Sequence, residues 1–128
     1  MVNNEENTEK WDVQLRKGSL ELVVLAALKD RNVYGLELLK SLHQFESMQL
    51  TEGTLYPLLD RLKRDELVAA NWVQEGESRP RKYYQLTQKG LDKLTGFTQR
   101  WRQSVSDIEF IINNPGPAAL TKQGEETC

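Results

Sequence analysis

The chain has 128 residues, enough for one compact domain and too few for two of ordinary size. At 38% hydrophobic and 28% charged residues, it suits a thin, helix-rich domain, or one that completes its core by oligomerising. A formal charge of -2 argues against a nucleic-acid binder, yet acid gathers at the ends (Glu5, Glu6, Glu9, Asp12, then Asp107, Glu109, Glu125, Glu126) while Arg61, Lys63, Arg64 and Arg79, Arg81, Lys82 form two central basic clusters, and local potential outweighs the total.

Residues 1–10 are polar and acidic and read as a flexible N-terminal arm. A helical pattern covers residues 11–29, with Trp11, Leu15, Leu22, Leu25 and Leu28 near one face. Gly18-Ser19 marks an expected break, with Ser19 as a fresh N-cap. After the turn at residues 30–32, a second helix is expected over residues 34–45, with Leu38, Leu39 and Leu42 inward. A short turn follows. Thr51 and Glu52 then open a third helix running to about Glu66, with Leu55, Leu58, Leu59 and Leu62 as its buried stripe.

The period then changes. Val68, Ala70 and Trp72 alternate with polar or small residues, as do Tyr84 and Leu86, so residues 68–75 and 81–86 read as strands of a β-hairpin with a charged tip. Thr87 caps a long helix ending near Asn113, which Gly90 and Gly96 weaken locally. Asn113-Asn114-Pro115-Gly116-Pro117 stops it, and residues 114–128 read as a disordered tail. The expected fold is mainly α with one β-hairpin: a winged helix-turn-helix domain over residues 11–87 and a C-terminal dimerisation helix over residues 88–113.

In this order of elements, residues 51–64 occupy the recognition-helix position. Thr51, Glu52, Gly53, Thr54 and Tyr56 lie in its opening turns, where small and hydrogen-bonding side chains meet base edges and free backbone N–H groups favour a phosphate. Pro57 reads as a first-turn proline that forfeits little, and Gly53 as a point of close approach to a duplex. Arg61 and Arg64 add charge. At the hairpin, Ser78, Arg79, Arg81 and Lys82 surround Pro80, the arrangement of a basic wing that holds backbone phosphates or enters a minor groove. A capping sequence, a solvated basic face and an ordinary charged turn are the plainer readings of the same residues.

The segments GSLELVVLAALKDRNVYGLELLKSL, LTEGTLYPLLDRLKRDELVAANW and SRPRKYYQLTQKG resemble the PadR-like family of transcriptional regulators, over roughly residues 17–97. The resemblance implies a winged helix-turn-helix regulator, usually a repressor, dimerised through the last helix and often the first. It places DNA contacts on Tyr34, Thr54, Tyr56, Arg61, Arg79, Arg81 and Lys82. The chain departs from the pattern at Glu66, where glycine is usual, so a left-handed helix cap would be strained. The short portion after the wing is similar to the compact branch of the family, with one C-terminal helix.

That helix carries its own signal. Leu94, Phe97, Trp101, Val105, Ile108 and Ile112 recur at helical spacing and are the expected homodimer face. Some relatives of the compact branch stack flat aromatic ligands on a tryptophan near the position of Trp101. That makes Trp11, Leu15, Phe97, Trp101 and Val105 an effector site for a planar aromatic small molecule, the alternative being interface packing alone. Trp72, on the first hairpin strand, reads as core or sheet surface.

The exclusions are clear. With one histidine, His43, and one cysteine, Cys128, the chain offers no catalytic set, metal site or intrachain disulfide; no cofactor and no enzyme activity are expected. No apolar run reaches membrane-spanning length and no export leader is visible, so no membrane association and a cytoplasmic home are expected. The partners implied are double-stranded operator DNA and a second copy of the chain. The alternative is a winged-helix protein-interaction module without specific DNA binding.

Overall fold

The computed structural model describes residues 4–117, with side chains from residue 9 onward. In chain order, the elements are α1 (Asn4–Ala27), β1 (Val33–Tyr34), α2 (Gly35–Leu42), a 3-10 turn (Glu46–Met48), α3 (Glu52–Arg64), β2 (Val68–Val73), β3 (Arg81–Leu86) and α4 (Gln88–Asn113). The chain divides into two compact units, one ending at Leu94 and the other beginning at Thr95.

The core of the first unit is the leucine pattern of the sequence. Val24, Leu25 and Leu28 of α1, Leu38, Leu39 and Leu42 of α2, and Leu55, Leu59 and Leu62 of α3 are buried, joined by Leu50, Leu67, Val68 and Tyr84. β2 and β3 form the antiparallel hairpin, with Val68 opposite Leu86, Ala70 opposite Tyr84 and Trp72 opposite Lys82. The sheet has a third strand, in the order β1-β3-β2. Val33 pairs with Tyr84 and Tyr34 with Tyr83. Two residues are too few to show alternation, so only the partner strand reveals β1.

Several boundaries differ from the sequence reading. Residues 4–10, expected as an arm, belong to α1, since the segment has no glycine or proline to stop a helix. The helix also runs unbroken through Gly18 and Ser19. The Ser19 hydroxyl donates back to the Leu15 and Arg16 carbonyls at 3.1 and 3.4 Å, so it caps nothing. Tyr34 lies in β1, and α2 is shorter than expected. The turn between α2 and α3 is longer, spanning residues 43–51. It is pinned by the Gln49 side-chain amide, which donates to the His43 and Phe45 carbonyls at 2.8 and 2.7 Å, and by His43 Nε2, 2.6 Å from the Leu50 carbonyl oxygen. Residues 118–128 of the expected tail, and 1–3 of the arm, lie outside the described residues.

α3 ends at Arg64, not Glu66, in a Schellman cap: the Leu67 N–H donates to the Leu62 carbonyl at 2.9 Å and the Glu66 N–H to that of Lys63 at 3.0 Å. The cap requires a left-handed residue, and Glu66 adopts φ 63. Replacing Glu66 with glycine is expected to stabilise the chain by about 0.5–1 kcal/mol, the strain of a left-handed side chain less the entropy glycine loses on folding. Urea unfolding measures the difference.

Thr87 joins this cap to α4. Its hydroxyl donates to the Glu66 carbonyl at 2.6 Å and accepts from the Gly90 N–H at 3.0 Å, while its own N–H donates to the Leu67 carbonyl at 3.1 Å. The N-cap role of Thr87 expected from sequence is therefore also a tie to the end of α3. Leu94, expected on a dimer face, is buried within the first unit at 6% exposure, because the opening turns of α4 dock on the Leu67 and Leu86 region.

Candidate nucleic-acid interface

α3 buries Leu55, Leu59 and Leu62 and turns Gly53, Pro57, Asp60 and Arg64 outward, one ridge at spacings of three and four residues. Thr51 stands at the N-cap in extended backbone (φ -93, ψ 162), its hydroxyl 3.2 Å from that of Thr54. Thr51, Glu52, Gly53 and Thr54 are all exposed, so the open N–H groups of the first turn face solvent. Pro57 lies inside the helix, beyond the first turn. Having no N–H, it leaves the Gly53 carbonyl without its usual donor four residues on, so the proline is not the free substitution its expected position implied.

Tyr56 leans from α3 toward α2, where a side chain on Gly35 would collide with its ring. Burial, then the charge of Glu52, holds its hydroxyl above the ordinary tyrosine pKa. Tyr84 is raised likewise by burial, then by Asp60 and Tyr56. Both phenols are thus fully protonated donors at neutral pH.

Not every cation is open to a ligand. Arg61 donates to Glu21 of α1 at 2.7 Å and lies 3.7 Å from Asp65. Its guanidinium ties α3 to α1, an exposed pair contributing under about 1 kcal/mol. Arg64, by contrast, points outward from the ridge.

The wing turns at Gly76, whose φ of +61 lets the Ser78 N–H reach the Glu75 carbonyl at 3.1 Å. Ser78 and Arg79 are exposed at the tip. On β3, the Arg81 guanidinium stacks 4.7 Å from the Tyr34 ring centre, and Tyr34 meets Tyr83 edge-on at 5.6 Å. Lys82 Nζ stands 5.9 Å from the Trp72 ring and 5.7 Å from that of Tyr84. A groove of about 480 Å³ lies between helix and wing, lined by Tyr34, Gly35, Leu36, Tyr56, Asp60, Trp72, Arg81, Lys82 and Tyr84. Tyr34, Tyr56, Arg81 and Lys82 are thus brought to one place, a lining that does not include Arg64 and Thr54. Sequence reading missed Asp60 and Trp72. The spacing of Asp60 from Tyr56 and Arg64 was a helical-face signal, but Trp72 had none beyond strand alternation.

In the second unit, Trp101, Val105, Ile108 and Ile112 form an exposed apolar stripe, joined by Ile111. Phe97 is half-buried. Trp11 and Leu15 are exposed on α1. Among the described residues there is no group of metal-ligating side chains and no helix long and apolar enough to cross a membrane.

Three helices followed by a basic antiparallel wing and a long terminal helix define a winged helix-turn-helix protein. Residues 24–96 match the transcriptional regulator PadR-like family, and the chain belongs to that family. It is 32% identical to a PadR family transcriptional regulator from Eggerthella lenta, covering 85% of this chain and 95% of that one at a TM-score of 0.76. A PadR-like transcriptional regulator from Bacillus cereus is also 32% identical, with coverage of 77% and 96% and a TM-score of 0.71. Bacillus subtilis PadR in complex with operator DNA shares the fold at 22% identity and a TM-score of 0.55, over 62% of this chain and 46% of that one.

Proposed function

We propose that the chain is an operator-binding repressor that acts as a homodimer and is released by a planar aromatic effector. The observation that carries the DNA reading is the shared groove: the recognition-helix residue Tyr56 and the wing cations Arg81 and Lys82 border one surface. Thr51, Glu52, Gly53, Thr54 and Tyr56 meet base edges at the open end of α3, while Arg64, Ser78, Arg79, Arg81, Lys82 and the phenol of Tyr34 hold the backbone. Arg61 supports α3 through Glu21 and joins the phosphate contacts by giving up that exposed pair. The operator-bound relative supports this reading through its fold.

A two-fold dimer presents two recognition helices, so the operator is an inverted repeat with half-sites about one helical turn, or a multiple, apart. Binding to duplex from the gene's own promoter is measured against salt. Arg79→Ala and Lys82→Ala are each expected to weaken binding to every sequence and lower the log–log salt slope by about 1. Thr54→Ala and Tyr56→Phe should also narrow the gap between operator and mutated operator. A wild type that binds no duplex at low salt would instead be the protein-interaction module.

For the effector, the supporting feature is Trp101 at 49% exposure, midway along α4 and first in its exposed apolar stripe. Two copies across a two-fold axis would sandwich a flat guest, with Phe97 and Val105 as walls and about 0.5–1.5 kcal/mol from each ring pair beyond burial. Such a guest acts as an inducer only if it prefers the DNA-incompetent form. Titration of planar dyes is expected to quench tryptophan emission and release operator in the wild type. Both responses should be lost in Trp101→Ala, and equal affinity in that variant removes Trp101 from the site.

A further inference from the structure

Trp72 is the most exposed large hydrophobic side chain recorded for the wing, at 69%. It sits on the sheet face that elsewhere forms the core: the same face carries Val68 and Tyr84, exposed by only 2% and 3%. The hairpin continues past the edge of the core, and its inward face becomes one wall of the groove opposite α3. An indole kept there in water contributes nothing to the core. Its cross-strand partner Lys82 places its ammonium 5.9 Å from the ring centre. The same ammonium lies 5.7 Å from the Tyr84 ring, so the charge stands beside the aromatic surface.

The charges along the groove are graded. Lys82 stands on the wing with the rings of Trp72 and Tyr84 on its own sheet face, and Asp60 lines the groove from α3; Arg81 and Tyr34, stacked on each other, line it from the other sheet face. A phosphate is drawn to the wing and repelled by Asp60, while the rings offer a surface for something apolar beside that phosphate. A DNA strand has this alternation, since each phosphate adjoins the apolar face of a deoxyribose.

Building on the DNA-binding reading above, we propose that one strand of the operator runs through this groove. A deoxyribose packs against the Trp72 indole, and the adjoining phosphate is held by Lys82, its neighbour on the same sheet face. Trp72 then positions the duplex without reading its sequence, a contact that is apolar and therefore independent of counterion release. Removing it lowers affinity but leaves the salt slope intact, the reverse of removing Lys82.

The test uses the full chain, duplex from its own promoter and an unrelated duplex at low salt, with binding followed by anisotropy of labelled DNA. Saturating duplex is expected to change wild-type tryptophan emission, and that change should vanish in Trp72→Phe while binding persists. Trp72→Ala is expected to bind both duplexes about tenfold more weakly, equivalent to about 1.4 kcal/mol, with an unchanged salt slope. Unchanged affinity in Trp72→Ala, or a slope reduced as in Lys82→Ala, overturns the proposal. So does wild-type emission that ignores bound duplex, and in that case the DNA-binding reading stands. A wild type that binds neither duplex removes both. Should Trp72→Ala fail to fold by circular dichroism, the Trp72→Phe emission comparison decides.

Discussion

If the proposed homodimer forms through α4, Val105→Glu with Ile108→Glu is expected to convert it to monomer or aggregate. Val105 and Ile108 are 36% and 55% exposed in the single chain, in line with Trp101 and Ile112 along α4. Covering such side chains with a second copy contributes about 1.5–3 kcal/mol for each one fully buried. Two carboxylates per subunit in that interface would meet their symmetry mates without cationic partners. An uncompensated buried charge costs roughly 3–5 kcal/mol, enough to undo the gain from several of those contacts. Sedimentation velocity distinguishes the outcomes. A double variant that remains a well-folded dimer places the interface elsewhere. Leu94 is a poor position for this test, because its side chain already belongs to the first unit's core.

The second large effect is expected from alanine at Gly90, and a contrasting one from alanine at Gly96. Both glycines lie inside α4, and each should gain up to about 1 kcal/mol in helix propensity on replacement. At Gly96, nothing lies within 4 Å of an added Cβ, so Gly96→Ala should stabilise by about that amount. At Gly90, the added carbon would overlap the Leu67 carbonyl oxygen and lie 3.2 Å from Leu86 Cδ2. Backbone cannot swing aside as a side chain can, and this carbonyl is held by the Thr87 N–H. Gly90→Ala is therefore expected to destabilise by about 2–3 kcal/mol net, lowering Tm by roughly 10–20 °C. Thermal unfolding of the two variants beside wild type measures the contrast, and equal shifts of the same sign would contradict it.

The pairing of these glycines shows where local reasoning stops. Both interrupt a helical pattern, and propensity treats them alike. Only the position of Leu67, far back in the chain, separates a glycine demanded by close approach from one that merely weakens a helix. Arg61 is a similar case. Its place among other cations on α3 marks it for phosphate, yet Glu21, forty residues earlier, already holds it.

What the sequence determined by itself was the periodic part. Leucines at helical spacing in α2 and α3 specify a buried stripe whatever they pack against, and alternation around a glycine-containing charged turn specifies the hairpin. Those signals are short-ranged, because helix and strand geometry repeat within a few residues. The motifs in the recognition helix and wing carried the family with them. The tertiary structure decided the rest: strand β1, which exists because β3 supplies its hydrogen-bond partners; the inward turn of Leu94; and the exposure of Trp72. Each depends on residues distant in sequence being brought together, and burial of one face against another is a property of the assembled layers that no local spacing encodes.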